Sequence, residues 1–92
     1  MINRKSKKSR RQVEEMHILN GLEDVLKKLD IQLKYERGGF RGGLCRIDDK
    51  EYFYLSKILS LEQKISIISH QLKNLNLENI YLKPQIRELL EN

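Results

Sequence analysis

Cationic side chains are concentrated at the start of the chain. The first twelve residues hold six Lys and Arg and no acid, and the remaining 80 hold twelve bases and thirteen acids. The first segment therefore carries +6 and the rest of the chain −1. Basic side chains placed in this way neutralise phosphates and release counterions without reading a nucleotide sequence. The charge layout predicts a basic, flexible arm over residues 1–12 that binds RNA or DNA through Arg4, Lys5, Lys7, Lys8, Arg10 and Arg11.

The same charges allow a second interpretation, in which the arm only keeps the protein in solution. The partner is then another protein, and the chain is a protein-interaction or regulatory module. An anionic membrane surface is a weaker candidate, because no lipidation motif or apolar anchor stands beside the charges. Segregation of the charge favours nucleic acid, and the oligomeric state stays open.

A glycine-rich stretch lies in the middle of the chain, where Arg37 and Arg41 each precede a pair of glycines. It resembles the arginine-glycine-glycine boxes of RNA-binding proteins. This resemblance implies that Arg37 and Arg41 bind nucleic acid, while Phe40 stacks on a base. The glycines alone favour a turn, because glycine permits a positive φ angle and close approach between strands. We expect mainly a turn, with nucleic-acid contacts by the two arginines as a lesser role.

Cys45, His17 and His70 are the remaining residues suited to nucleophilic or metal chemistry. A nucleophilic thiol needs a neighbouring base, and a zinc site needs ligands at paired spacings; neither pattern joins these three residues. Cys45 stands among apolar residues on a predicted strand, which predicts a buried structural thiol. His70 is expected at a helix surface or at the edge of the core. We expect a non-enzymatic protein with no catalytic residue, no metal and no cofactor.

Length and composition indicate a single domain over residues 13–92. The chain has 92 residues and a mean hydropathy of −0.61, and no apolar run approaches the about 20 residues that a membrane span needs. No apolar segment follows the basic N-terminus as it would in a signal peptide. The single cysteine cannot form an internal disulfide. These features predict a cytoplasmic protein without a membrane partner.

Three segments have the apolar spacing of amphipathic helices. The first begins between Ser9 and Val13, where Ser9 and Gln12 fit a capping box. Its predicted apolar face consists of Val13, Met16, Leu19, Leu22, Val25, Leu26 and Leu29. The second helix follows a capping-box match at Ser60. The third begins near Pro84, because proline is favoured in the first turn of a helix.

The segment between the first two helices predicts three strands. Residues 31–36 alternate apolar and polar side chains, as a half-buried strand does. The four glycines at 38, 39, 42 and 43 are expected to interrupt strand structure. Residues 44–47 and 52–55 then predict an antiparallel hairpin joined by residues 48–51. Aromatic residues on both faces of 52–55 predict that this strand is central or covered on both sides.

The order of these elements defines a fold class. One helix, three strands and two helices predict an α+β domain of two layers, with helices packed on a three-stranded, mainly antiparallel sheet.

The strands and the second helix together resemble the ImmA/IrrE minimal metalloprotease domain over residues 31–74. In that family the helix carries His-Glu-x-x-His and binds zinc. His70 falls on the first His, whereas Gln71 replaces the catalytic Glu and Asn74 the second His. The resemblance implies a degenerate, protease-like scaffold that lacks the zinc motif.

A second resemblance covers two short motifs. Gly-Gly-Leu-Cys at residues 42–45 and Ile-Tyr-Leu-Lys-Pro-Gln-Ile-Arg at residues 80–87 are similar to motifs in a family of short bacterial proteins of uncharacterised function. This resemblance implies a cytoplasmic bacterial protein and assigns no activity.

Overall fold

The computed structural model describes residues 9–38 and 42–91. The predicted α+β fold is confirmed, with one helix, three strands and two further helices in that order. The elements are α1 (Arg10–Lys28), β1 (Ile31–Glu36), β2 (Gly42–Ile47), β3 (Lys50–Ser56), α2 (Leu61–Leu72) and α3 (Pro84–Glu91).

The sheet has the strand order β1-β3-β2, so β3 is the central strand, as predicted. β2 and β3 form the predicted antiparallel hairpin. β1 pairs with β3 in parallel, beginning with Ile31 opposite Glu51. The sheet is therefore mixed rather than mainly antiparallel. Alternating side chains specify which face of a strand is buried, but they do not specify which neighbour it pairs with.

Two glycines allow the chain to leave β1 and enter β2. Because β3 lies between these strands, the connection must cross the carboxyl end of β3. Gly38 and Gly42 adopt φ angles of 141° and 146°, and a Cβ atom on Gly42 would lie 2.4 Å from the carbonyl oxygen of Tyr54. The predicted turn role is confirmed at these two positions. Gly42 and Gly43 nevertheless belong to β2, so the expectation that they interrupt strand structure is wrong.

Both predicted capping boxes are present. The Oγ atom of Ser9 accepts a hydrogen bond from the backbone N–H of Gln12 at 3.1 Å, and the Gln12 side chain accepts one from the Ser9 N–H at 3.1 Å. Ser60 and Gln63 repeat the arrangement at the start of α2. Each box satisfies two backbone donors that a helix leaves unpaired, so α1 and α2 begin where the sequence predicts.

The helices cover one face of the sheet and form the core with it. Completely buried apolar side chains come from α1, β3 and α2; they are Leu22, Leu26, Phe53, Leu55, Ile68 and Leu72. The predicted apolar face of α1 is buried from Leu19 to Leu26 and partly buried at Leu29, whereas Val13 and Met16 are 40% and 36% exposed. Gly21 admits the side chain of Ile86 from α3, since a Cβ atom there would lie 2.7 Å from the Ile86 Cδ1 atom.

Two adjacent glycines in β2 provide a matched test of the connection that crosses the carboxyl end of β3. Gly42→Ala should lower the free energy of unfolding by about 2 kcal/mol or more, because the positive φ angle and the Tyr54 carbonyl both oppose a side chain. Gly43→Ala should change it by less than about 0.5 kcal/mol, because a Cβ atom there meets no atom within 4 Å. Urea unfolding of the two variants measures the difference. Equal midpoints would contradict the described path of the chain.

Candidate nucleic-acid interface

The carboxyl ends of β1 and β3 lie together because the two strands are parallel. Glu36 is opposite Ser56 in the register, and the backbone N–H of Lys57 donates to the Glu36 carbonyl at 2.9 Å. The buried Ser56 hydroxyl donates to the carbonyl of Gly38 at 2.7 Å. Arg37 lies between these two anchored residues, so the start of the glycine-rich loop is fixed at this end of the domain.

The first turn of α1 reaches the same end. The Nη2 atom of Arg11 lies 3.2 Å from the Oε2 atom of Glu62, and Glu62 belongs to the first turn of α2. That turn follows Ser56 by only a few residues. The start of α1 and the start of the glycine-rich loop therefore lie at the same end of the domain, although they are far apart in the sequence. We refer to this end, with Arg10, Arg11, Arg37 and Lys57, as the basic end.

The basic side chains that the structure describes at this end are on the surface. Arg10, Arg37 and Lys57 are exposed. The Arg11 side chain is 78% exposed and also lies 3.9 Å from Glu15. Exposed ion pairs of this kind contribute only about 0–1 kcal/mol, so a phosphate can replace either carboxylate at small cost. The other predicted phosphate ligands, Arg4, Lys5, Lys7, Lys8 and Arg41, lie outside the described residues.

The sheet face turned away from the helices begins at the basic end, and we refer to it as the outer face. Its residues follow from the register; they are Gln32, Lys34, Glu36, Gly43, Cys45, Ile47, Lys50, Tyr52, Tyr54 and the buried Ser56. Gln32, Lys34, Cys45 and Ile47 are exposed and the two tyrosines are half-buried. The outer face is therefore open to solvent along the described strands.

Two tyrosines occupy the middle of the outer face. The ring centroids of Tyr52 and Tyr54 lie 6.2 Å apart with an interplanar angle of 37°, and Lys34 Nζ lies 6.0 Å from the Tyr52 centroid. The sequence indicated that both tyrosines face the same way, but it did not identify them as a site. The available signal was a pair of aromatics at i and i+2 on a strand whose other face is apolar.

Cys45 lies on the outer face and is exposed, so the predicted buried thiol is wrong. Its apolar neighbours Leu44 and Ile47 lie on opposite faces of the sheet, and therefore they do not enclose it. His17 and His70 are also exposed, and the predicted surface position of His70 is confirmed. Within residues 9–38 and 42–91, no three or more His, Cys, Asp or Glu are grouped so that they could hold a metal ion.

A polar cluster on the helix side of the sheet is structural. The Tyr35 hydroxyl donates to Glu23 Oε2 at 2.7 Å, and the Lys64 ammonium lies 4.9 Å from the centre of the Tyr35 ring. Burial, together with the hydrogen bond to the Glu23 carboxylate, raises the pKa of Tyr35 well above its usual range. This tyrosine stays neutral at physiological pH and joins β1 to both covering helices.

No protein-family model, no curated protein and no solved structure matches this chain. The resemblances to ImmA/IrrE domains and to short bacterial proteins therefore stay predictions. None of the described helices is both long and apolar enough to cross a membrane.

The Ser56–Gly38 hydrogen bond gives a test of loop anchoring at the basic end. Ser56→Ala should destabilise the loop by about 1 kcal/mol and accelerate tryptic cleavage after Arg37 roughly fivefold, because cleavage requires local opening. Limited proteolysis followed by mass spectrometry measures the rate. Ser66→Ala, at an exposed position on α2, is the control. An unchanged rate in Ser56→Ala would show that other contacts hold the loop.

Proposed function

We propose that this chain is a small, non-enzymatic nucleic-acid-binding protein whose basic arm and basic end contact RNA or DNA phosphates. The observation that supports it most is that two cationic segments lie at one end of the domain, although residues 13–92 as a whole carry −1. Arg11, in the first turn of α1, contacts the first turn of α2. Arg37 is held at the adjoining end of β3 by the Ser56–Gly38 bond.

Phosphate binding is the chemistry that this arrangement supports. Exposed arginines bind phosphate oxygens through several N–H donors, and each neutralised phosphate releases counterions. Contacts of this kind position a protein on nucleic acid without reading its sequence. The proposal therefore covers RNA and DNA equally and includes no base preference at the basic end.

The non-enzymatic part of the proposal rests on where the reactive side chains lie. Cys45 is on the outer face of β2, whereas His17 and His70 are exposed on α1 and α2. Tyr35 is engaged by Glu23 on the helix side of the sheet. A nucleophile and its base must lie within hydrogen-bonding reach of one another, and these side chains are distributed over different surfaces.

A protein-interaction or regulatory module is the second candidate, on a protease-like scaffold with a purely solubilising tail. Two exposed apolar residues favour it. Ile58 is 76% exposed beside the basic end, and Ile47 is 46% exposed on the outer face. Single exposed apolar residues are common on protein surfaces, so this candidate ranks below nucleic acid.

The salt dependence of binding distinguishes these candidates. If all six cations of residues 1–12 engage phosphates, the slope of log K against log salt should be roughly −5 on duplex DNA and −4 on single strands. Arg10→Ala/Arg11→Ala should flatten the duplex slope by about 2, because two phosphate contacts are lost. Fluorescence anisotropy at several salt concentrations gives both quantities.

Removal of two cations elsewhere on the chain is the matched control. Lys27→Ala/Lys83→Ala changes the net charge equally, but Lys27 lies at the C-terminal end of α1 and Lys83 just before α3. This control should keep the wild-type slope. Micromolar or tighter binding that survives deletion of residues 1–12 with its slope unchanged would overturn the proposal. Absence of binding at low salt would favour a protein partner.

A further inference from the structure

We propose that the outer face binds single-stranded nucleic acid by stacking bases on Tyr52 and Tyr54, with the strand's backbone continuing to the basic end. This inference rests on the proposed function, since it takes nucleic acid as the partner. It adds a second surface and a preference for unpaired strands, neither of which follows from the cationic segments.

The geometry of the tyrosine pair suits base stacking. Both rings lie on the central strand of an open sheet face, with centroids 6.2 Å apart. Aromatic side chains on an exposed sheet bind unpaired bases because every base has a flat π face. Two neighbouring rings on one strand can therefore accept two successive nucleotides.

Small residues on β2 leave space beside both rings. Tyr54 is opposite Gly43, and Tyr52 is opposite Cys45. A Cβ atom on Gly43 would meet no atom within 4 Å, so a gap remains where cross-strand neighbours in a sheet normally pack. A base lying over Tyr54 can extend into this gap without displacing protein atoms.

The charges of the outer face fit a phosphate backbone. The face holds Lys34 and Lys50 against one acid, Glu36, although residues 13–92 as a whole carry −1. The ammonium of Lys34 lies 6.0 Å from the Tyr52 ring centroid, where it can reach the phosphate of a stacked nucleotide. Charge complementarity therefore favours a polyanion over an acidic or apolar partner.

The outer face is continuous with the basic end. Ser56 follows Tyr52 and Tyr54 on the same side of β3, and its hydroxyl holds the Gly38 carbonyl at 2.7 Å. Arg37 therefore stands where the outer face ends. A single strand that stacks on the tyrosines can pass directly to the cations that hold its phosphates. A duplex keeps its bases stacked internally, so only the cations can engage it.

Substitution of the tyrosines tests stacking. Tyr52→Ala and Tyr54→Ala should each weaken binding of a 12-nucleotide single strand roughly 5- to 150-fold, the range for one lost base stack, and should leave binding of the matched duplex unchanged. Tyr52→Phe and Tyr54→Phe should keep wild-type affinity, because the ring remains. Tyr81→Ala, which removes a 66% exposed tyrosine outside the sheet, is the control and should bind as wild type.

Gly43→Val provides a variant that fills the gap without removing an aromatic ring. Valine suits a strand, and the position has open space, so circular dichroism should show a folded protein. Single-strand affinity should nevertheless fall at least fivefold.

Two properties of the unmodified protein report on the same surface. Binding should slow alkylation of the exposed Cys45 by iodoacetamide, and it should quench tyrosine fluorescence, which is observable because the chain has no Trp.

The outcomes separate this inference from the proposed function. Wild-type single-strand affinity in the folded Tyr52→Ala, Tyr54→Ala and Gly43→Val proteins would overturn the inference. Unchanged alkylation of Cys45 in the complex would also overturn it. The proposed function survives either result if the salt slope still depends on Arg10 and Arg11. Absence of binding to both single strand and duplex at low salt would overturn both proposals.

Discussion

Parallel pairing of β1 with β3 is the constraint on which the rest of the molecule depends. Once β1 lies beside β3 in parallel, β2 can reach the far side of β3 only if the chain crosses its carboxyl end. The crossing brings backbone against backbone at Gly42, where any larger residue would meet the Tyr54 carbonyl. It also places Gly38 against the Ser56 hydroxyl. Gly38 and Gly42, which look like part of a recognition motif in the sequence, are needed first for this passage.

Parallel pairing of β1 with β3 also determines where the exposed cations lie. Because β1 and β3 end together, the residues that follow each strand adjoin one another, and α2 starts from the same place. α1 begins beside α2, so Arg10 and Arg11 lie at the same end of the domain as Arg37. The helices occupy one face of the sheet and leave the tyrosine face open. A structural requirement of strand order thus places an end with exposed cations beside an open sheet face that carries two tyrosines.

Local patterns predicted the elements well and their long-range relations poorly. The two capping boxes, the hairpin and the central position of β3 follow from neighbouring residues, and the structure contains them.

Parallel pairing of β1 depends on contacts between residues about twenty positions apart, which the alternation of apolar and polar side chains does not encode. Cys45 is exposed because it lies on the outer face, whereas its neighbour Leu44 lies on the helix side of the sheet. Gly21 lowers the helix propensity of α1, and only the structure shows its role in packing, which is to leave space for the Ile86 side chain. The concentration of cations in residues 1–12 is evident from the sequence alone, whereas Tyr52 and Tyr54 gain significance only when the sheet face beside them is known to be open.

The hairpin turn affects how the domain assembles. Asp48 and Asp49 adopt φ angles of 49° and 67°, the left-handed conformation that suits a two-residue connection between twisted strands. β2 and β3 can therefore pair early, since a short loop costs little entropy to close. The free edge of β3 must then capture β1, which precedes it by about twenty residues. Until that step, β1 and the edge of β3 that it will cover both lack their partner, and such unpaired edges pair readily with other chains. Docking of β1 is thus the point at which folding of this domain competes with its aggregation, and conditions that delay this docking should lower the yield of folded protein more than conditions that slow the hairpin.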